Sequence, residues 1–126
     1  MNKTHNQNIG KKGEDLAAQY LQDHGFKILG QNINTRYGEL DILARQKLII
    51  HVVEVKTRTS DLFGMATEAI NIKKLSKMKK TQQVLKDQGV IPVHAKVQYD
   101  FIAITIRLNA FTLEPFWNIG ELDLPR

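Results

Sequence analysis

Glu54 and Lys56 stand two residues apart near the end of the run LIIHVVEVKTR, and Asp41 lies upstream of them in GELDILA. Both stretches read as strands, joined by a polar turn at Arg45-Gln46-Lys47. Alternate strand side chains share a face, so Glu54 and Lys56 emerge side by side, roughly 6.6 Å apart. By the same rule Glu39 and Asp41 share a face of the first strand. Leu48, Ile50 and Val52 line one face of the second strand and Ile49, Val53 and Val55 the other. A strand apolar on both faces is covered on both sides, and charges leaving such a run are costly unless paired or metal-bound. With the hairpin closing at Gln46-Lys47, Asp41 falls opposite the neighbourhood of Val52 and Glu54. Two carboxylates and an ammonium then converge where apolar strands end. Oxygen donors of this kind suit Mg²⁺ or Mn²⁺, and the ammonium can orient a water or steady a developing oxyanion. The plain alternative is an ordinary Glu54–Lys56 ion pair at a strand end, because so short a pattern is common.

The elements that must position these groups follow from periodicity. Ile9 to His24 is helical, with Ile9, Leu16, Ala17, Tyr20 and Leu21 on one stripe and Gly25 as its stop. Glu14 borders that stripe, where an acid in an early turn also complements the helix dipole. Phe26 to Asn34 reads as a strand broken at Gly30, and Thr59 to Ala69 as a loop passing near the site. Asn71 is an N-cap for a helix with apolar Ile72, Leu75, Met78, Val84 and Leu85, closed by Gly89 and Pro92. Val97 to Arg107 is a second doubly apolar strand, and the route to it from the 48–58 strand is long enough for a parallel crossover. Phe111 to Asn118 is expected as an edge strand, since Pro115 cannot donate in a central one. The order α-β-β-β-α-β-β predicts an α/β fold with a mixed sheet flanked by helices, in one domain over residues 1–126.

Composition narrows the class. The 126 residues are 42% hydrophobic with a net charge of +5, and they include no cysteine. That excludes a disulfide framework and a thiolate zinc site, while His5, His24, His51 and His94 show no metal-ligand spacing. No apolar run approaches the ~18 residues of a membrane span, and the polar start lacks a signal-peptide core. A cytoplasmic protein without membrane partners is the expectation. Between Asn71 and Gly89 six lysines face one aspartate, an excess of five that equals the whole net charge. Such a segment is either a solvated helix face or a surface for an acidic partner, nucleic acid foremost.

Asp41, the Glu54-x-Lys56 pair and an acid on a preceding helix resemble the PD-(D/E)xK nuclease superfamily, with its restriction-endonuclease-like fold. Within it, GKKGEDLAAQYL, NINTR, YGELDILA, VVEVKTR, the Phe63-Gly64 pair and a lysine opening a helix resemble the YraN-like bacterial family. Their joint order is the specific signal, and it covers nearly the whole chain. That family is in turn similar to archaeal Holliday-junction resolvases. The superfamily's proline before the aspartate is replaced here by Leu40. The resemblance implies Asp41 and Glu54 as metal carboxylates, joined by Glu14 and the Val55 carbonyl. It implies Lys56 at the attacking water or the scissile phosphate, and Glu39 as a metal or supporting group. Arg36, Arg58 and Lys73 match basic positions that would bind phosphates.

The expected function is therefore Mg²⁺- or Mn²⁺-dependent hydrolysis of DNA phosphodiesters, selective for structure and leaving a 5′-phosphate and a 3′-hydroxyl. Lys73, Lys77 and Lys80 share one side of the second helix and would track a backbone without reading sequence. A symmetric junction would call for a homodimer with two active sites. The rival is a nucleic-acid-binding module that keeps the fold without cutting, and the retained carboxylates weigh against it, because they repel phosphates. A weaker rival is a protein whose lysines contact acidic protein surfaces.

Overall fold

The computed structural model describes residues 3–59, 70–122 and 124, with side chains from residue 8 onward. The elements run α1 (Lys3–Asp23), β1 (Lys27–Thr35), β2 (Gly38–Gln46), β3 (Ile49–Arg58), α2 (Ile72–Asp87), β4 (Lys96–Arg107) and β5 (Ala110–Phe116), with a 3₁₀ turn at Ile119–Glu121. They form one five-stranded mixed sheet in sequential order β1-β2-β3-β4-β5. Every neighbouring pair is antiparallel except β3 and β4, which run parallel across the α2 crossover. The expected order and the parallel crossover are both present, and β5 lies at the edge with Pro115 opposite Ile102.

Apolar periodicity sorts the core into two layers. Ala17, Ala18 and Leu21 of α1 pack on Ile42, Ala44, Val53, Ile102 and Ile104, all buried. Leu75, Met78 and Leu85 of α2 pack on Leu40, Leu43, Ile50, Val52, Phe101 and Ala103 from the other side. β3 and β4 feed both layers, which is why each is apolar on both faces. Truncating a residue such as Leu21, Ile42 or Leu85 to alanine would cost about 2–5 kcal/mol.

Both helices end on a left-handed glycine. Gly25 has φ 87° and Gly89 has φ 78°. Phe26 N–H donates to Leu21 O and Gly25 N–H to Gln22 O, while Val90 N–H donates to Leu85 O and Gly89 N–H to Lys86 O. These paired bonds satisfy carbonyls that the last turns would otherwise leave open. Asn71 caps α2 as its sequence predicts, its side chain accepting from Lys74 N–H at 2.8 Å.

The start of α1 and the position of the β2–β3 turn differ from expectation. Helix α1 begins at Lys3, not at Ile9. The β2–β3 hairpin turns at Lys47-Leu48, with Gln46 facing Ile49, so Arg45 and Gln46 are strand residues. Leu48 belongs to the turn and is 90% exposed; the ladder register left only two residues for the connection, and Leu48 is one of them. The loop expected at Thr59–Ala69 lies outside the described residues from position 60 onward, including Phe63-Gly64. Among the described residues, no helix is long and apolar enough to cross a membrane.

Candidate metal and phosphate site

The site forms where β2 and β3 part. Their ladder runs from Gln46↔Ile49 to Ile42↔Val53 and pairs no further. One step on, Asp41 meets the gap side-on: its Oδ2 accepts from Val55 N–H at 2.8 Å, where a ladder carbonyl would otherwise stand. The sequence-based placement of Asp41 opposite the Glu54 neighbourhood therefore holds. Irregularity in β1 accompanies the parting, since Asn32, between the pairs Gln31↔Ile42 and Ile33↔Leu40, takes a left-handed φ of 52°.

Helix α1 brings the second acid. Gly13 is buried against β3, and a Cβ there would sit 1.7 Å from Thr57 Oγ1. Only a residue without a side chain permits that approach, and it sets the next residue, Glu14, over the sheet end. Donor oxygens of Glu14, Glu39 and Asp41 lie within 4.8 Å of one another. Ligands on one octahedral Mg²⁺ are separated by about 3–4 Å, given bonds of 2.0–2.1 Å, so small side-chain rotations would close the set. All three are hard oxygen donors, the type that Mg²⁺ and Mn²⁺ take. The residues present fit a divalent cation.

Crowded negative charge shows in the titration. Burial first, then the Glu54 charge, with smaller additions from Glu14 and Glu39, together push the Asp41 carboxyl up to about 7 against the opposing Val55 bond. Glu14 is also raised, chiefly by burial; a hydrogen bond with Asn32 acts against this and the Glu39 charge adds to it. Like charges held this close resist joint ionisation, and a divalent cation is the ligand that would relieve them.

Glu54 is not one of the three clustered acids, although its charge acts on Asp41 more strongly than that of Glu14 or Glu39. It points to the α2 side of the sheet, where its Oε1 lies 3.0 Å from Lys74 Nζ in a partly shielded ion pair. Lys56 is exposed and lines a hollow at the end of β3 with Ile9, Glu14, Thr57, Arg58 and Thr59. Arg58 donates from Nε to Thr105 Oγ1 at 3.3 Å. Lys73, Lys77 and Lys80 share one exposed hollow with Tyr37, Ile72 and Ser76. Arg36 reaches this surface from the β1–β2 turn, with its guanidinium carbon 5.2 Å from the Tyr37 ring centre. The structure thus gathers Glu14, Glu39 and Asp41 tightly, sets Lys56 in a hollow it shares with Glu14, and collects Arg36 and the three lysines on a neighbouring surface.

Four residues whose contacts shape the site or the sheet carry no role in the sequence reading. Lys74 looked like one more lysine of the basic helix, yet it neutralises Glu54. Asn32, the partner of Glu14, opens the NINTR motif but carries no assigned role there. Buried His51 and Asp100 form a bond of 2.6 Å from Nδ1 to Oδ2, which the scattered spacing of the four histidines does not signal. Only the parallel β3–β4 register, which no local pattern reveals, joins that pair.

Residues 13–104 match the family described as "Uncharacterised protein family UPF0102". A UPF0102 protein of Clostridium botulinum strain 657 is 39% identical over 104 residues, covering 82% of this chain and 83% of the relative. One from Syntrophomonas wolfei is 40% identical over 101 residues, covering 80% and 87%. Another, from Caldanaerobacter subterraneus, is 38% identical over 114 residues, covering 90% and 93%. With a family match spanning most of the chain and relatives of nearly equal length, the chain belongs to the UPF0102 family, the YraN-like group that its motifs resemble.

Proposed function

We propose that this protein is a divalent-metal-dependent phosphodiesterase that cuts DNA by recognising its structure. The observation that carries the reading is the Glu14–Glu39–Asp41 cluster at the parting of β2 and β3, with Asp41 held up to about 7. Asp41 is the central ligand in this reading, with Glu14 and Glu39 completing the donor set. When bound, Mg²⁺ or Mn²⁺ supplies Lewis-acid polarisation of a phosphate oxygen and lowers the pKa of a water. Lys56, exposed beside Glu14 in the β3-end hollow, positions the attacking water or offsets charge growing on the phosphate. Glu54, released from Lys74, stands on the opposite flank of Asp41 as a further acid. Lys73, Lys77, Lys80 and Arg36 hold backbone phosphates, and Arg58 stands at the β3 end for the same role. Contacts of that kind fix orientation and carry no sequence information. A symmetric branched substrate would engage two copies of the chain.

One observation favours a second reading, a nucleic-acid-binding adaptor that does not cut. Glu54 is occupied by an internal cation, Lys74, at 3.0 Å, an arrangement that suits a closed structural pair as well as a resting site. The deciding experiment is cleavage of end-labelled duplex, single-stranded, flap and four-way-junction DNA in Mg²⁺ and in Mn²⁺, with Asp41→Asn and Lys56→Ala in parallel. Metal-dependent cutting lost by both variants supports the phosphodiesterase. Salt-sensitive binding without cutting supports the adaptor.

A further inference from the structure

The β1–β2 turn presents an aromatic ring where a basic surface would lead a nucleic acid strand. Arg36 and Tyr37 form the two-residue connection between Thr35 and Gly38, which pair across it. The Thr35 hydroxyl fastens the turn twice, donating to Gly38 O at 2.9 Å and accepting from Tyr37 N–H at 3.2 Å. Tyr37 is 42% exposed, so the ring is held in place yet reachable. Gly38 has φ 126°, and a Cβ there would lie 2.4 Å from Lys77 Cε. The glycine therefore does two jobs: it permits the turn and lets the Lys77 stem lie across it, next to the ring. Lys80 Nζ stands 5.9 Å from the ring centre and the Arg36 guanidinium carbon 5.2 Å. Three cations thus surround one exposed aromatic, and Glu39 of the acidic cluster follows only two residues later, about 7 Å along the strand.

We propose that Tyr37 is a stacking platform for an unpaired nucleobase, with Arg36, Lys77 and Lys80 taking the phosphates on either side. The inference rests on the nucleic-acid reading above and narrows its substrate class to single-stranded or branched DNA, because a base paired within a duplex has no free face to offer. Exposed cation–aromatic contacts are weak, whereas base–aromatic stacking is stronger and tolerant of sequence. An arriving strand gives the cations phosphates to pair with and the ring a base, so each group exchanges its resting contact for a better one. The acidic cluster beside the turn then meets backbone close to the stacked nucleotide, at the edge of an unpaired segment.

The test is binding in EDTA, so that no cleavage intervenes, read by fluorescence anisotropy. A single-stranded oligonucleotide carrying 2-aminopurine is compared with a long duplex of the same sequence, using wild type, Tyr37→Ala, Tyr37→Phe and Lys77→Ala. Tyr37→Ala is expected to weaken single-strand binding about 5- to 100-fold and to abolish 2-aminopurine quenching, while duplex binding changes less than about two-fold. Tyr37→Phe keeps the ring and binds like wild type. The salt slope is unchanged in Tyr37→Ala and shallower by about 0.7 in Lys77→Ala. Equal loss on both substrates, no loss on either, or wild type that binds no single strand would each overturn the platform. Wild type that stacks but never cuts in Mg²⁺ or Mn²⁺ would instead sink the phosphodiesterase reading and leave the platform standing.

Discussion

Asp41→Asn separates the charge of the acidic cluster from its shape. Asparagine is nearly isosteric, and its side-chain oxygen can still accept the Val55 N–H bond that Asp41 receives at 2.8 Å. Folded, the carboxyl holds its proton up to about pH 7; unfolded, it loses it near its ordinary 3.8. Between those values the folded state binds the extra proton, so stability falls as pH rises, and above about 7 the penalty is complete. The span corresponds to about 4 kcal/mol at 1.36 kcal/mol per unit. That is an upper bound, because neighbouring carboxylates share the titration. Urea unfolding in EDTA at pH 5 and pH 8 measures it. Only about two units of that span lie between pH 5 and 8, so wild type should lose about 1–3 kcal/mol more than Asp41→Asn across that interval, making the variant the more stable protein at pH 8 while it is inert in any cleavage assay. If the two proteins lose stability in parallel to within about 0.5 kcal/mol, the cluster does not hold a proton in common and the electrostatic account of the site fails.

Millimolar Mn²⁺ should raise the melting temperature of wild type at pH 8 and hardly at all at pH 5, where Asp41 is protonated; Asp41→Asn should lose the pH 8 shift. Lys74→Met removes the cation now held by Glu54. For a partly exposed pair worth about 1 kcal/mol, the Mn²⁺ needed for half of that melting shift should fall about five-fold, and an unchanged midpoint would place Glu54 outside the metal's reach. Gly13→Ala drives a Cβ into Thr57 Oγ1 and should cost about 1–3 kcal/mol by chemical denaturation, recovered in part by adding Thr57→Gly. Asp100→Ala strands a buried histidine, a backbone N–H of Asn118 and the amide of Gln98, and should cost about 3–5 kcal/mol; a loss below 1 kcal/mol would count against that network.

Much of this fold was legible because strong periodicity and punctuation agreed. Asn71, Gly25, Gly89 and Pro115 each carry a local conformational meaning, and the doubly apolar runs of β3 and β4 require cover on two sides. Hairpin geometry alone makes Asp41 and Glu54 neighbours, one step beyond the Ile42↔Val53 pair. Ladder spacing alone did not show that Glu54 would turn to Lys74 while Glu14 and Glu39 close on Asp41. Glu39 and Glu14 join Asp41 because β2 leaves β3 after Ile42 and because Gly13 lets α1 sink onto Thr57. Both causes act between elements. The same holds for Lys74, whose letter matches its solvated neighbours but whose place in the first turn of α2 brings it to Glu54 on the sheet.

Parallel strands joined by a long crossover have no tight turn to set their alignment, and an apolar β3 against an apolar β4 would slide with little resistance. Asp100 removes that freedom. Wholly buried, it accepts from Gln98 Nε2 and Asn118 N–H at 2.8 Å each and bonds His51 Nδ1 at 2.6 Å, while Phe26 stands edge-on to the His51 ring. A slip of one residue would carry this carboxylate to the opposite face and leave its partners facing hydrocarbon. The pair thus works as a registration mark: it makes misaligned sheets expensive during folding. The edge strand β5 and the turn through Asn118 are thereby indexed to the same frame as the distant acids.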